Sequence, residues 1–206
     1  MKILVISSNL IGDTILSTGI VDHFLKNNPN SRFTFIIGPT AGQIYQNFPN
    51  LEKIILIKKE KFNTHWLKIY LHSWNIKWDI IVDLRSSFLS FLLFHKKKYI
   101  FKKDKNKHHL DQLISFFRSN DSDLNIYING KEEDIVKNKL NPENIYVVIF
   151  PGGNWKPKIW PSNNYNQLIK KLVKNFSNMK FLIVGSADEE DLYLNPIKKN
   201  VSEDKI

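Results

Sequence analysis

Two glycine-containing turns carry the residues of this chain that could do chemistry. The first places Gly12 and Asp13 after the apolar run at residues 2–6 and at the start of a helical pattern. Open α/β sheets bind ligands at the carboxyl ends of their strands, where a carboxylate can act as general base on a hydroxyl group. Alternatively, Asp13 caps the helix and complements its dipole. The local sequence does not decide between these interpretations.

The second turn, PGGNWKPKIWP at residues 151–161, combines small residues with cations. Its small residues are Gly152, Gly153 and Asn154, and its cations include Lys156 and Lys158. Small residues let backbone amides approach an anion, and a helix predicted from about residue 163 adds its dipole. A diphosphate group requires these features. The alternative is an ordinary glycine turn with solvated lysines, because neither a Walker motif nor GxGxxG occurs.

Alternating strands and helices must position both turns. Apolar runs predict strands at 2–6, 33–37, 53–57, 79–84, 145–150 and 180–184. Helical periodicity follows Asp13, where Leu16, Ile20 and Phe24 share one face, and it recurs at 110–117 and 163–176. This alternation predicts an α/β fold with parallel sheets. We place the domain boundary in the polar NPEN segment, which gives domains 1–142 and 143–206.

Composition bounds the class of protein. Hydrophobic residues make up 42% of the 206-residue chain, which is enough for a buried core, and there is no cysteine. The chain therefore has no disulfide or thiolate site, as is usual in a reducing compartment, and we expect a cytoplasmic protein. The net charge of +10 favours an anionic partner, although lysine-rich and asparagine-rich bias of the genome is a competing cause.

Four segments in order resemble glycosyltransferase family 9, the lipopolysaccharide heptosyltransferases. They are GDTILSTGIVDHFLKNNPNSRFTFIIG, WDIIVDLRSSFLSFLLF, PGGNWKPKIWPSNNYNQLIKKL and FLIVGSADEED. The resemblance implies a GT-B fold, with a complete N-terminal Rossmann-like domain and the first part of a second Rossmann-like donor domain. It also implies inverting, metal-independent transfer of a heptose or related sugar from an ADP-activated donor. The implied acceptor is the lipopolysaccharide core or a similar surface glycan.

The resemblance also implies site residues. Asp13 would be the base and, with Gly12, would lie on the acceptor side. Lys158 would neutralise the departing diphosphate, and Gly152, Gly153, Asn154 and Lys158 would bind the donor. No metal is expected, and the nucleotide sugar is substrate rather than cofactor. Gly19 replaces a common proline, and the family's D-T-G-x-x-H segment is missing. We therefore expect a truncated member that transfers sugar poorly or not at all.

Other features have simpler explanations. The lysine-rich stretch 96–107 could contact anionic phospholipid at the inner face of the cytoplasmic membrane, or nucleic acid, but a strand with solvated flanks is favoured. We expect no nucleic-acid partner. Asp121 and Asp123 have the spacing of a metal-binding D-x-D pair in a polar loop that favours a turn. His108 and His109 precede or cap a helix. The competing function is a non-catalytic basic module that binds an anionic glycan or lipid surface.

Overall fold

The computed structural model describes residues 1–58, 64–117, 124–153 and 155–205. The chain folds as two compact units, Met1–Asn129 and Gly130–Ile206. The division proposed from the sequence, 1–142 and 143–206, would instead place the helix Gly130–Lys139 in the first unit. That helix is charged and buries none of its residues, so its sequence carries little signal of which core it joins.

The strands and helices alternate along the chain. The strands are β1 (Lys2–Ile6), β2 (Arg32–Ile37), β3 (Leu51–Leu56), β4 (Trp78–Asp83), β5 (His95–Ile100), β6 (Ile145–Ile149) and β7 (Met179–Ile183). The helices are α1 (Ile11–Asn27), α2 (Pro39–Gly42), α3 (Thr64–Ser73), α4 (Leu89–Leu92), α5 (His109–Phe117), α6 (Gly130–Lys139), α7 (Ser162–Asn175) and α8 (Asn195–Lys198). Short 3-10 turns include Gln43–Tyr45, Lys156–Lys158 and Ala187–Glu189.

The first unit is built on a five-stranded parallel sheet with the strand order β3-β2-β1-β4-β5. From β1 the chain adds β2 and β3 on one side and then returns to add β4 and β5 on the other. The strand order therefore reverses between β1 and β4. In open α/β sheets, the crevice at the carboxyl ends of the strands beside such a reversal is where ligands bind.

Both faces of this sheet are covered. The alternating side chains of β1 divide between two cores, with Ile3 and Val5 on one face and Leu4 and Ile6 on the other. The first core is closed by residues of α1, α2 and α5, and the second by residues of α3 and α4. All four β1 residues are fully buried, which explains why the strand is a continuous apolar run.

The second unit pairs β6 with β7 in parallel and packs α7 and α8 against them. Its core includes Ile149, Ile169, Met179, Phe181 and Ile197. The prediction of an α/β fold with parallel sheets is confirmed. The helix α3 was not predicted from the sequence.

Candidate functional site

A polar pocket lies at the carboxyl edge of the first sheet, where the strand order reverses between β1 and β4. Its volume is about 270 Å³. Segments following β1, β4 and β5 and the helices α1 and α5 supply its lining, which is Ser8, Asp13, Ser17, Leu84, Arg85, Ser86, Phe101, Lys103, His109 and Leu113. The pocket therefore brings together one carboxylate, a guanidinium, an ammonium and an imidazole group from segments that are distant in the sequence.

Asp13 lies in the first turn of α1 and lines this pocket. The helix begins at Ile11, its N-cap position is Leu10, and no side chain makes a capping hydrogen bond there. Ser8 Oγ instead donates to Asp13 Oδ2 at 3.4 Å and accepts a hydrogen bond from the Leu10 amide at 3.1 Å. Asp13 is thus not the N-cap residue that the alternative interpretation required. Its half-buried carboxylate is directed to the pocket.

The turn after β4 is held by Asp83, a fully buried carboxylate. Asp83 Oδ1 accepts a hydrogen bond from the Arg85 amide at 2.9 Å. Its Oδ2 accepts from the Ser87 amide at 2.7 Å and from Ser87 Oγ at 2.9 Å. Ser86 between them has φ 52° and donates from Oγ to the Phe101 carbonyl at 2.6 Å. These four bonds fix the backbone that presents Arg85.

Arg85 is oriented by two further contacts. Its Nη1 donates to Asn9 Oδ1 at 3.2 Å, and its guanidinium carbon lies 5.5 Å from the centroid of the Trp66 ring. Burial lowers the pKa of Arg85, and the Asp83 carboxylate opposes that shift. Gly38 is what admits Asn9 to this position, because a Cβ at Gly38 would stand 2.7 Å from Asn9 Cα. The loops after β1, β2 and β4 are therefore interlocked around one guanidinium.

His109 forms the opposite wall with the aromatic ring of Phe101, at a centroid distance of 5.6 Å. Burial lowers the pKa of His109, the charge of Lys103 lowers it further, and the Asp13 carboxylate opposes both. The imidazole is therefore neutral near pH 7. Its Nδ1 is buried and has no hydrogen-bond partner among the described residues. A buried polar atom without a partner is costly unless a ligand or water satisfies it.

The pocket suits an anionic molecule that carries a hydroxyl group. Arg85 and Lys103 supply positive charge, and the neutral ring of His109 lines the pocket with them. Asp13 can accept a proton from a hydroxyl that reaches it. Gly12 precedes Asp13 in the chain, and a Cβ on Gly12 would meet nothing within 4 Å, so the space beside Gly12 is open.

The second predicted site lies in the other unit, in the loop after β6. A Cβ on Gly152 would overlap the Glu189 carboxylate, whereas one on Gly153 would meet nothing within 4 Å. Glu189 is held there by the amide of Ser186, which donates to its Oε2 at 2.9 Å. A phosphate would therefore meet like charge near Gly152 and open backbone at Gly153.

Lys158 ends the 3-10 turn Lys156–Lys158, just before α7. Its Nζ lies 5.3 Å from the centroid of the exposed Trp155 ring, and the ammonium group is exposed to solvent. The expected helix after the loop is present as α7, which begins directly after the loop at Ser162. Asn154, the remaining predicted donor residue, lies outside the described residues.

The structure thus places Asp13, which follows Gly12, in one pocket with cations, and it keeps Gly152, Gly153 and Lys158 on one loop of the second unit. Within the described ranges, no group of three His, Asp or Glu side chains could hold a metal ion. Asp121 and Asp123 fall outside those ranges. No helix among the described residues is long and apolar enough to cross a membrane.

Sequence reasoning assigned no role to Arg85 or Lys103. Arg85 stood in the DLRSS turn, and Lys103 in the lysine-rich stretch after β5, where charge runs are usually solvated. Their shared position after neighbouring parallel strands was the available signal, because such strands end at the same edge of the sheet. Using that signal requires the strand order, which local sequence patterns do not predict.

Comparisons with known proteins show that solved glycosyltransferases share this fold. No protein-family model and no curated protein sequence matches the chain. A family 9 glycosyltransferase from Veillonella parvula matches with a TM-score of 0.72 and 18% identity, over 96% of this chain and 66% of its own. The ADP-heptose lipopolysaccharide heptosyltransferase II of E. coli matches with a TM-score of 0.71 and 16% identity, over 100% and 70%.

E. coli heptosyltransferase WaaC, solved with ADP-2-deoxy-2-fluoro heptose, matches with a TM-score of 0.70 and 14% identity, over 98% of this chain and 74% of its own. The chain therefore spans about two thirds to three quarters of the length of these structures. The predicted GT-B fold, with one Rossmann-like domain and part of a second, is confirmed. The likeness to family 9 that the motifs indicated is confirmed in the fold.

Proposed function

We propose that this chain is a glycosyltransferase that moves a sugar from a nucleotide-diphosphate donor to a hydroxyl group of an acidic glycan. The observation that most supports this proposal is the pocket at the sheet edge, which Asp13 lines together with Arg85, Lys103 and His109. The fold shared with glycosyltransferases supports the reaction class, and an ADP-heptose donor is favoured by the solved relatives named for it. Lipopolysaccharide core is the acceptor that the proposal favours.

In this mechanism Asp13 removes the proton of the acceptor hydroxyl as the oxygen attacks the anomeric carbon. The bond from that carbon to the donor diphosphate breaks on the opposite face, so the configuration inverts. The diphosphate leaves with the electron pair and develops negative charge. General-base catalysis and stabilisation of the leaving group are then the two tasks of the protein, and neither needs a metal ion.

The acceptor is held by its acidic group. Arg85 and Lys103 attract a carboxylate or phosphate, and the ring of His109 lines the pocket with them. The neutral state of His109 lets its ring serve without adding a charge that would neutralise Asp13. The acceptor hydroxyl must lie within hydrogen-bond distance of Asp13. The Asp83 turn holds Arg85 in place, and a fixed Arg85 fixes the acidic group of the acceptor and thereby the position of that hydroxyl.

The donor is assigned to the second unit. Gly153 offers open backbone to the phosphates, Asn154 lies beside it in the sequence, and Lys158 offers its charge to the departing diphosphate. Gly152 contributes by letting the loop pack on Glu189. The nucleotide sugar is substrate, and no further cofactor is assigned. The absence of cysteine supports a cytoplasmic site of action.

We expect slow turnover from the 206-residue chain, because two strands form the described sheet of the second unit and nucleotide-binding sheets of this type have more. The test therefore uses stoichiometric enzyme with ADP-heptose and an acidic lipopolysaccharide-core oligosaccharide, and mass spectrometry of the acceptor. Addition of one heptose supports the proposal. Acceptor binding without any product over many hours would instead support the non-catalytic glycan-binding function.

A second measurement tests the acceptor pocket without turnover. NMR titration of the His109 ring should show that the acidic oligosaccharide raises the pKa of His109, because an anion favours the imidazolium form. His23 lies on α1 six residues beyond Ser17, the last residue of that helix to line the pocket, and serves as internal control. An unchanged His109 titration at saturating oligosaccharide would remove this pocket from the proposal.

A further inference from the structure

The helix α3 is apolar on two faces, although only one of them packs on the sheet. Ile69 is buried in the second core, and Trp66 and Tyr70 pack against it. On the outward side, Leu67, Leu71 and Trp74 recur at i, i+4 and i+7 with exposures of 61%, 58% and 46%. Its polar residues His65, Lys68 and His72, at i, i+3 and i+7, form a separate stripe, so the apolar part of the helix is wider than the part that packs on the sheet.

The segment around α4 extends this apolar surface. Phe88, Phe91, Leu92 and Phe94 are exposed by 75%, 58%, 48% and 65%. Between α3 and α4 runs an apolar groove of about 640 Å³, lined by Trp66, Leu67, Tyr70, Ser87, Phe88, Leu89 and Leu92. We call the exposed set Leu67, Leu71, Trp74, Phe88, Phe91, Leu92 and Phe94 the α3–α4 surface. A contiguous exposed patch of this kind marks an interaction site.

Positive charge borders the α3–α4 surface. Side chains alternate along the edge strand β5, and Lys98 Nζ lies 3.7 Å from the centroid of the Phe91 ring, so Lys96 and Lys98 share the face of α4. Residues 64–100 contain six lysines and arginines against two aspartates. One aspartate, Asp83, is buried in the turn described above, and the other, Asp79, pairs with Lys96 at 2.6 Å.

We propose that the α3–α4 surface docks on an anionic phospholipid bilayer. Exposed aromatic and aliphatic side chains with flanking lysines fit the interface of such a membrane, where rings enter the headgroup boundary and ammonium groups meet phosphates. A second copy of this chain fits poorly, because the bordering lysines would face like charge across a two-fold interface. The contact is thus centred on α3 and α4, with Lys98 at its border, rather than on the whole lysine-rich stretch 96–107.

The position of the surface has a consequence for the polar pocket. Trp66 lines the apolar groove and also lies against Arg85, which lines the pocket. A bilayer on the α3–α4 surface would place lipid one side chain away from the pocket that we assign to the acidic acceptor. An acceptor with a lipid anchor could then enter the pocket without leaving the membrane. The docking itself does not depend on the proposed sugar transfer.

The test is flotation of the purified chain with vesicles of phosphatidylcholine alone or of phosphatidylcholine mixed with phosphatidylglycerol. We expect binding to the mixed vesicles that falls with added salt, since surface charge is screened. Phe88→Ser with Phe91→Ser should weaken it by about tenfold or more. Lys98→Ala should weaken it by about fivefold on mixed vesicles and should have little effect on neutral ones.

Matched controls keep the outcome specific. Leu192→Ser removes a side chain that is 67% exposed in the second unit, and Lys139→Ala removes an exposed lysine of α6. Circular dichroism should show all variants folded. The proposal is overturned if the wild-type chain does not float with mixed vesicles, or if the α3–α4 variants float as the controls do. Loss of a dimer in the Phe variants, by size exclusion, would assign the surface to a second copy instead.

Discussion

Asp83→Asn should destabilise the first unit because it breaks a turn that depends on two carboxylate oxygens. Asp83 is fully buried and accepts three hydrogen bonds, one at Oδ1 from the Arg85 amide and two at Oδ2 from Ser87. Asparagine keeps the shape of aspartate but offers only one oxygen. If that oxygen faces Ser87, the side-chain NH₂ must face the Arg85 amide, donor against donor.

The expected magnitude follows from that geometry. A hydrogen bond to a charged group contributes about 1.5–3 kcal/mol, and a buried donor left without an acceptor costs a similar amount. We therefore expect a loss of about 2–3 kcal/mol in the free energy of unfolding, which lowers the melting temperature of a chain of this size by roughly 4–12 °C. Arg85 should also lose its fixed position, so that binding of the acidic acceptor weakens.

Urea unfolding followed by tryptophan fluorescence measures this loss. A Trp155→Phe and Trp160→Phe background restricts the signal to Trp66, Trp74 and Trp78 of the first unit. Asp111→Asn, whose carboxylate is 75% exposed, is the matched control and should change the free energy by less than about 0.5 kcal/mol. If Asp83→Asn is as stable as that control, the turn does not depend on the carboxylate and our account of how Arg85 is held is wrong.

Four other substitutions test other parts of the structure. Burial would raise the pKa of Asp22, but hydrogen bonds from Tyr127 and Asn125 and the charge of Lys26 outweigh it and hold the pKa below its usual value. This stabilisation is present above the pKa of Asp22 in the unfolded chain and is lost as the pH falls through its pKa in the folded chain. Tyr127→Phe should therefore lower the free energy of unfolding by about 1.5–3 kcal/mol at neutral pH and by much less in acid. Urea unfolding at each pH measures this difference. Gly38→Ala should lower the melting temperature because its Cβ meets the Asn9 backbone, whereas Gly12→Ala, whose Cβ meets nothing, should leave it unchanged or raise it. Lys158→Ala should lower kcat for sugar transfer by about a hundredfold, with a smaller change in donor KM. An unchanged kcat with a raised donor KM would contradict a role of Lys158 in the transition state.

The sequence predicted the parts of the fold that depend on local pattern. The strands β1, β2, β3, β4, β6 and β7 were predicted within about two residues, because each contains a run of mostly apolar residues. The helix α3 was missed because its apolar residues extend beyond the face that packs on the sheet, so their periodicity is weaker than that of a helix with one narrow apolar stripe.

The site was predictable only in part, for a topological reason. The position of Asp13 after a strand predicts that it lies at the sheet edge, and the structure places its carboxylate in the pocket there, in the first turn of α1. Arg85, Lys103 and His109 join it because β4 and β5 add to the sheet beside β1. Strand order depends on long-range packing, which no local pattern of residues encodes.

The most direct test of the central claim is the rate of heptose transfer by Asp13→Asn, measured in a single turnover with ADP-heptose and an acidic lipopolysaccharide-core acceptor. Asparagine keeps the shape of the side chain but cannot accept the hydroxyl proton. We predict a rate about 10²–10⁴ times lower than that of the wild-type chain, with acceptor affinity and stability preserved, while Asp111→Asn transfers normally. Transfer by Asp13→Asn at the wild-type rate would contradict the account.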